Sequence, residues 1–315
     1  MAQNLGKLLK HVVIPTVTPF KPENQEVNYA VASDLIEYLI SSNHCDSLLI
    51  EGTTGEFSTL RFDERIELLR FAKEVVAGRM PIVAGTGAAS TKEALLLTAE
   101  AEKLDYDAAM VVAPYFCRPT QEGIYSHYKA IAQNSSIPIV LYNIPLFTAV
   151  NIDPATLGRL AEECKNIVGI KDETGINPTQ ITEYARVTPG DFAIYSGDDI
   201  MILCGLAQGA AGVVSGGSHV VGDKVRNMIE LFLAGMVKQA EKIHKALDPL
   251  FKSFCPIGGV NPIPGLRAAI EFVGIPVGPP RLPLVESTEE EKEIIRKQLV
   301  RLGVVELQQA LSSRR

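Results

Sequence analysis

The stretch that decides the fold runs from residue 137 to residue 171 and reads IPIVLYNIPLFTAVNIDPATLGRLAEECKNIVGIK. It contains two short apolar runs, Ile137–Tyr142 and Ile167–Lys171. Such runs are typical of strands that are buried on both faces of a parallel sheet. Between them lies Pro154–Glu163, where apolar residues recur every three or four positions and the proline suits a first helical turn. The stretch therefore predicts a strand–helix–strand unit.

The same unit repeats along the chain. Strands are predicted at His11–Val17, Ser47–Ile50, Ile82–Ala84, Ala108–Ala113, Ile137–Tyr142, Ile167–Lys171, Phe192–Tyr195 and Ala211–Val214. Helices are predicted at Val31–Ile40, Asp63–Val76, Thr91–Lys103, Gln121–Ala132, Pro154–Glu163, Pro178–Val187 and Asp199–Gln208. This alternation predicts an α/β fold of the (β/α)8 TIM-barrel type. An open doubly wound sheet is the alternative, which the regular repeat and the lack of a GxGxxG turn disfavour.

The character of the sequence changes after about residue 222, where amphipathic segments follow one another without a strand between them. These segments are Val225–Ala234, Lys238–Leu250, Pro264–Val273 and Thr288–Leu302. We interpret the first as the last helix of the barrel. The prediction is a barrel over residues 1–235 and a small C-terminal helical region over residues 236–315.

Composition narrows the class of protein. The chain has 315 residues, of which 46% are hydrophobic, and a formal net charge of −7. This composition excludes general disorder, and the lack of a basic block argues against a nucleic-acid partner. Five scattered cysteines without a CxxC pair fit a reducing compartment and give no zinc signature. No long apolar run suggests a signal peptide or a membrane span, so we expect a cytoplasmic protein.

Lys171 is the clearest candidate for chemistry. In barrels of this type the reacting groups lie at the carboxyl ends of the strands, and Lys171 closes the sixth apolar run. Partial burial of an amine favours its neutral form, which can attack a ketone and form a Schiff base. The alternative is a lysine that only pairs with Asp172 or Glu173 at the rim.

Other polar residues follow the ends of neighbouring strands. Tyr142 lies at the same height one strand earlier, where a phenol could pass a proton to a carbinolamine oxygen or could simply pack. The turn Gly52–Gly55 offers backbone N–H groups and two threonine hydroxyls, which suit a carboxylate but also occur in ordinary turns. Glu56 is a candidate base or helix cap. Asp198 and Asp199 are expected to be N-caps, because no histidine accompanies them as a metal ligand.

Three motifs carry a resemblance to a known family. They are GTTGE at 52–56, YNIP at 142–145 and GIKD at 169–172, each at a predicted strand end. Together they resemble the dihydrodipicolinate synthase / N-acetylneuraminate lyase superfamily of pyruvate-dependent class I aldolases. The resemblance extends from Val13 to Leu284, and the segments NPIP at 261–264 and RLPL at 281–284 are similar to the synthase branch. It implies a lyase that needs no metal or organic cofactor and forms dimers or tetramers.

The resemblance also implies roles for individual residues. Lys171 would form the Schiff base with pyruvate, and Tyr142 would shuttle protons above it. Thr53 and Thr54, in the turn that Gly52 begins, would bind the pyruvate carboxylate, with Thr53 also in the proton relay. Gly197 and Val214 would contribute backbone contacts in the pocket.

The sequence departs from the synthase pattern at several positions. Phe116 stands where the synthases have a relay tyrosine that crosses the dimer interface, and the adjacent Tyr115 cannot be assumed to replace it. Phe147 occupies the substrate-binding position of an arginine that holds the carboxylate of the incoming semialdehyde. Lysine feedback is not expected, because Phe57, Phe62 and Ala89 occupy the regulatory positions. The neuraminate-lyase branch fits no better, since Ile200 replaces an acid.

Three functions are favoured over a fourth, a metal-dependent aldolase or a phosphate-sugar barrel, which no histidine cluster and no clear phosphate loop supports. The first is a synthase that condenses pyruvate with an aldehyde such as aspartate semialdehyde. The second is an aldolase for a 2-keto-3-deoxy sugar acid of the gluconate type or a related hydroxy-oxo acid, which would not need the arginine that Phe147 replaces. The third is a weakly catalytic or non-catalytic pyruvate-binding homologue, which Phe116 motivates.

Overall fold

The computed structural model describes residues 4–175, 177 and 179–306 and contains a closed barrel of parallel strands. The strands are β1 (Val12–Pro15), β2 (Ser47–Ile50), β3 (Ile82–Gly85), β4 (Ala108–Val112), β5 (Ile139–Asn143), β6 (Ile167–Asp172), β7 (Ala193–Ser196) and β8 (Gly212–Val214). Each strand pairs with the next in sequence, and β8 returns to β1. The barrel prediction is thereby confirmed, and the doubly wound alternative is wrong.

The helices lie between and after the strands. They are α1 (Leu5–Leu9), α2 (Tyr29–Ser41), α3 (Phe62–Val76), α4 (Thr91–Lys103), α5 (Gln121–Gln133), α6 (Pro145–Thr148), α7 (Pro154–Glu163), α8 (Gln180–Val187), α9 (Ile202–Ala207), α10 (Ser218–Leu233), α11 (Val237–Ser253), α12 (Ile263–Phe272) and α13 (Glu289–Arg301). Pro178, which was predicted to begin a helix, lies outside the described residues.

Most predicted boundaries differ from the observed ones by a few residues, for local reasons. Strands β5 and β6 each continue one residue past the apolar run, because Asn143 and Asp172 are still paired in the parallel ladder. The predicted helix Asp199–Gln208 is instead a 3-10 turn at Asp199–Met201 followed by α9. The helix predicted to begin at Val225 already begins at Ser218.

Apolar side chains fill two layers. The inner layer, inside the barrel, includes Val13, Leu49, Val83 and Val140. The outer layer lies between the strands and the helices, where alternate strand residues such as Ile14 and Leu48 meet the buried helix faces. Because every strand is buried on both faces, an apolar run rather than an alternating pattern marks it in the sequence.

One end of the barrel is closed by helix α1, which the sequence analysis did not predict. Leu5 and Leu9 are buried in the inner layer. The Ser47 hydroxyl, at the start of β2, donates to the Leu9 carbonyl at 3.3 Å, and the Tyr195 hydroxyl donates to the Lys10 carbonyl at 2.8 Å. The opposite end of the barrel, where the strands finish, is therefore the end at which a functional site can lie.

The C-terminal helices α11–α13 belong to the same hydrophobic core as the barrel. Leu247 of α11 and Ile295 of α13 pack in the outer layer that also contains barrel residues. The domain boundary at residue 235 stays a prediction. Within the part of the chain that the structure describes, no helix is both long and apolar enough to cross a bilayer.

Candidate active site

Lys171 and Tyr142 lie side by side where strands β6 and β5 finish. They are partners in the parallel register, so the two side chains leave neighbouring strands at the same height. Lys171 is only 4% exposed, and its Nζ atom lies 3.9 Å from the centre of the Tyr142 ring. The structure therefore brings together the two residues that the sequence analysis ranked first for catalysis.

Glu173 links the lysine and the tyrosine. Its Oε2 atom lies 3.1 Å from Lys171 Nζ and accepts a hydrogen bond from the Tyr142 hydroxyl at 2.7 Å. The Thr53 hydroxyl donates to the Tyr142 hydroxyl at 3.3 Å, from the turn after β2. Threonine, tyrosine, glutamate and lysine thus form one continuous polar network. From the sequence, Glu173 is only a possible partner of Lys171 at the rim.

Burial is the main cause that raises the pKa of Tyr142 well above its usual value, and the nearby Glu173 carboxylate adds to this effect. The phenol therefore keeps its proton throughout the neutral pH range. A protonated hydroxyl at this place can donate to an oxygen atom that develops negative charge beside Lys171.

Gly197 is required by the position of Lys171. A Cβ atom at residue 197 would lie 2.6 Å from Lys171 Cε and 2.9 Å from Glu173 Cβ. These distances are far below an ordinary contact, so a larger residue would displace the lysine. Gly197, which follows β7, thus leaves free the space that the Lys171 side chain occupies.

A cavity of about 770 Å³ opens above these residues. It is lined by most of the residues predicted to bind substrate, namely Thr53, Thr54, Tyr142, Phe147, Lys171, Gly197 and Val214. Gly52 lies outside this lining, and a Cβ atom there would meet Leu49 at 3.1 Å and Pro15 at 3.3 Å. The structure thus gathers all of the predicted residues except Gly52 around one space.

The turn that carries Thr53 and Thr54 is held by Glu56. The Glu56 carboxylate is buried, accepts from Arg267 Nη1 at 2.8 Å and accepts from the Arg281 backbone N–H at 2.9 Å. Glu56 stands at the N-cap position of the 3-10 turn Phe57–Thr59, but its side chain makes no capping hydrogen bond and does not line the cavity, so neither the expected cap nor the expected base describes what the carboxylate does. Helix α3 begins later, after Arg61, and Glu56 anchors the turn to the C-terminal region.

Asp198 and Asp199 have different roles. Asp198 Oδ1 accepts from the Ile200 N–H at 3.0 Å and caps the following 3-10 turn, as predicted. Asp199 is not a cap, because its Oδ2 accepts from the Gly217 N–H at 2.8 Å across the cavity wall. Burial raises the pKa of Asp199 to about 6. Among the described residues, no group of three His, Cys, Asp or Glu side chains is arranged to hold a metal ion.

Phe116 and Tyr115 both lie outside the cavity lining. Phe116 is 96% exposed and adopts a left-handed backbone conformation with a φ of 70°. The Tyr115 ring packs edge-on against Phe57, with the ring centres 6.0 Å apart. Phe57 also lies beneath the Arg65 guanidinium, at 5.1 Å. Within this chain, neither aromatic residue of the loop after β4 reaches Lys171.

The outer part of the cavity comes from α6, which carries the predicted Phe147, and from C-terminal residues that were not assigned to the site from the sequence. Helix α6 contributes Phe147, which is 36% exposed. Phe251 of α11, the adjacent Phe254 and Leu266 of α12 line the same space. Their apolar spacing marks them as helix residues in the sequence, but nothing local indicates that they face the mouth of the barrel.

The family model and the curated relatives that match this chain point to the same family. Residues 8–302 match the model of the dihydrodipicolinate synthetase family. The 4-hydroxy-tetrahydrodipicolinate synthase of Desulforudis audaxviator is 46% identical over 285 residues, which cover 90% of this chain and 95% of that protein.

Solved structures that resemble this chain belong to the same family. The lysine-bound dihydrodipicolinate synthase of Cyanidioschyzon merolae is 38% identical and superposes with a TM-score of 0.89, covering 95% of this chain and 99% of that one. A monomeric dihydrodipicolinate synthase variant is 34% identical with a TM-score of 0.89, covering 96% and 99%. The resemblance drawn from the three motifs and the lyase class that it implies are confirmed. This chain belongs to the dihydrodipicolinate synthetase family.

Proposed function

We propose that this chain is a pyruvate-dependent lyase in which Lys171 forms a Schiff base with pyruvate and the resulting enamine exchanges with an aldehyde. The observation that carries the proposal is the buried amine of Lys171, which lies 3.9 Å from the Tyr142 ring centre in a cavity of about 770 Å³. A cavity of this size accommodates pyruvate together with a second small substrate.

The residues around Lys171 suit the steps of this reaction. Thr53 and Thr54 line the cavity, and their turn presents N–H and hydroxyl groups of the kind that bind a carboxylate such as that of pyruvate. The neutral amine adds to the carbonyl carbon, and Tyr142 protonates the carbinolamine oxygen, which leaves as water. Loss of a proton from the methyl carbon then gives an enamine, whose carbon attacks the aldehyde. The same steps in reverse cleave the product.

Aspartate semialdehyde is the first candidate for the aldehyde. The relative from Desulforudis audaxviator, at 46% identity, is a 4-hydroxy-tetrahydrodipicolinate synthase. The resemblance of the C-terminal segments 261–264 and 281–284 to the synthase branch supports the same substrate.

A 2-keto-3-deoxy sugar acid or a related hydroxy-oxo acid is the second candidate. Phe147 lines the cavity where the synthase pattern has an arginine, and the carboxylates of Glu173, Asp198 and Asp199 line it as well. Of the cationic side chains among the described lining residues, Lys252 pairs with Asp248 at 2.9 Å and Lys171 is the reacting group. A cavity lined by an apolar ring and several carboxylates favours a substrate with hydroxyl groups over one with a second carboxylate.

Trapping with borohydride tests the reaction class. Incubation with pyruvate and sodium borohydride should place a reduced pyruvate adduct on Lys171, which peptide mass mapping would locate. Lys171→Ala should abolish the adduct, and Tyr142→Phe should slow turnover by roughly 10²–10⁴-fold while pyruvate still binds. A folded protein that forms no adduct would contradict the proposal. An adduct without turnover on either candidate substrate would favour the pyruvate-binding homologue.

Phe147→Arg tests the second substrate. If the acceptor carboxylate lies beside residue 147, the new guanidinium should lower the KM for aspartate semialdehyde by about tenfold or more, because a charged hydrogen bond contributes roughly 1.5–3 kcal/mol. Phe147→Gln is the control for lost apolar surface. Equal KM values for the two variants would contradict this placement of the acceptor.

A homo-oligomer, either a dimer or a tetramer, is also part of the proposal. Large apolar side chains such as Phe116, Leu146 and Ile257 are exposed, which is typical of surfaces that meet another chain. One similar structure is a monomeric variant, so the state can differ within the family. Light scattering would distinguish multiples of the 34.1 kDa chain. A cytoplasmic location stays a prediction from the sequence.

A further inference from the structure

Glu173 has the contacts expected of a proton carrier. A single oxygen, Oε2, lies 3.1 Å from Lys171 Nζ and 2.7 Å from the Tyr142 hydroxyl. The Glu173 side chain is 27% exposed, whereas that of Lys171 is 5% exposed. The carboxylate therefore lies at the boundary between the cavity and the buried amine, in contact with the reacting atom itself.

The neighbouring carboxylates are engaged in other contacts. Asp172 points away from the cavity, where it accepts from Asn143 Nδ2 at 3.0 Å and from the Thr174 hydroxyl at 2.6 Å. Asp198 accepts from the Ile200 N–H, and Asp199 accepts from the Gly217 N–H. Of these acids, Glu173 is the one within hydrogen-bond distance of both Lys171 and Tyr142.

The backbone holds Glu173 in this position. Its N–H donates to the Asn143 carbonyl at 2.8 Å, which continues the ladder between β5 and β6 by one more bond. Residue 173 thereby lies two positions after Lys171 on the same extended segment, and alternate side chains of such a segment share a face. The lysine and the glutamate consequently point to the same side.

We propose that Glu173 is a third catalytic residue, which carries protons from Lys171 to Tyr142 while the Schiff base forms. This inference rests on the Schiff-base reaction proposed above. The carboxylate takes a proton from the Lys171 ammonium and leaves a neutral amine, whose nitrogen bonds to the carbonyl carbon of pyruvate. Tyr142 gives its proton to the carbonyl oxygen and regains one from Glu173.

The proton count of this step is balanced. The ammonium begins with three protons and the iminium product keeps one, so two protons pass through Glu173 and Tyr142 to the oxygen. That oxygen leaves as water when the carbon–oxygen bond breaks and the carbon–nitrogen double bond forms. Glu173 and Tyr142 finish in their starting protonation states. No oxidant, reductant or further reactant is required.

The test uses the pyruvate half-reaction, which needs no second substrate. Two rates would be measured on the full-length chain: formation of the borohydride-trapped adduct, and exchange of the pyruvate methyl protons with deuterated solvent, followed by NMR. Glu173→Gln keeps the size of the side chain but cannot take a proton. We expect both rates to fall by roughly 10²–10⁴-fold.

The chain contains a matched control on its surface. Glu163 Oε2 contacts Lys129 Nζ at 2.7 Å and the Tyr125 hydroxyl at 2.5 Å, which is the same set of residue types outside the cavity. Glu163→Gln should leave both rates unchanged. Glu173→Ala with added formate should regain part of the rate, because formate can occupy the vacated space and accept the proton. A role in holding Lys171 in place would give no such dependence on formate.

The outcomes separate the two proposals. An unmodified chain that forms no adduct overturns the Schiff-base reaction and this inference together. An unmodified chain that forms the adduct while Glu173→Gln reacts at the same rate overturns this inference alone. A Glu173→Ala variant that is slow but unresponsive to formate also overturns the role as a proton carrier.

Discussion

Lys171 reaches the cavity because successive residues of β6 face opposite sides of the barrel wall. Its neighbour Ile170 points outward into the layer beneath the helices, and Asp172 joins the polar contacts around Asn143. A one-residue change of register would exchange these sides and remove the amine from the site. At the scale of the residue, the proposed chemistry of Lys171 depends on the alternation of side chains along one strand.

Gly197→Ala should disturb Lys171 without changing any polar group. The added Cβ would lie 2.6 Å from Lys171 Cε, so the lysine or the backbone after β7 must move. We expect the rate of borohydride trapping to fall by at least about tenfold, and overpacking to cost about 1–3 kcal/mol of stability. Gly190→Ala is the control, because no heavy atom lies within 4 Å of a Cβ there. An unchanged trapping rate in Gly197→Ala would contradict this account of the glycine.

Sequence alone could predict the residues on strands but not those that depend on distant contacts. Lys171 and Tyr142 end apolar runs, and a barrel brings such ends together. Glu173 follows strand β6. The sequence does not show that one more backbone hydrogen bond to β5 keeps its side chain facing the cavity. The contact of Glu56 with Arg267 is not visible in the sequence, because the two residues are more than two hundred positions apart and no local pattern identifies the pair.

At the scale of the element, the C-terminal helix α12 supports the turn that carries Thr53 and Thr54 through a buried ion pair. The side chains of Glu56 and Arg267 are 1% and 2% exposed, and Arg267 also donates to the carbonyls of Thr18, Val277 and Gly278. The pair therefore ties the end of β1, the turn after β2 and helix α12 into one unit. The C-terminal region contributes to the geometry of the site and also to its outer lining.

Glu56→Gln should weaken this unit. It leaves the Arg267 guanidinium buried without its charged partner, which typically costs about 3–5 kcal/mol of the free energy of unfolding. Urea unfolding would measure the loss, and adding Arg267→Met should recover part of it. Glu241→Gln, in an exposed pair with Lys245, is expected to change stability little. A similarly small change for Glu56→Gln would mean that the buried pair does not hold the turn.

At the scale of the whole molecule, the two ends of the barrel differ in their roles. Helix α1 closes the end where the strands begin, and the polar network opens at the end where they finish. Carboxylates line the cavity at this second end, among them the partly buried Asp199, whose Oδ1 atom is inaccessible to solvent. Such groups make the stability of the molecule depend on pH.

Asp199→Asn tests that dependence. Burial raises the pKa of Asp199 to about 6 from a usual value of 3.8, so the folded chain binds the proton more tightly than the unfolded chain. Its contribution is fully present below about pH 4 and is lost as the pH rises through about 6. The stability of the unmodified chain relative to Asp199→Asn should therefore fall between about pH 4 and pH 6, by about 1.4 kcal/mol for each unit of pKa shift. A difference that does not vary with pH would contradict this.

The cavity is built from two separate sets of elements, and this has a consequence for how such enzymes diverge. The proposed reacting groups lie on β5 and β6 and just after β2, whereas the outer lining comes from α6, α11 and α12. Mutations in those helices can alter which aldehyde is accepted while the amine, the phenol and the carboxylate keep their geometry. New specificities can therefore arise by gradual change at the periphery, and directed evolution of this chain can begin with libraries at Phe147, Phe251 and Leu266, leaving strands β5 and β6 untouched.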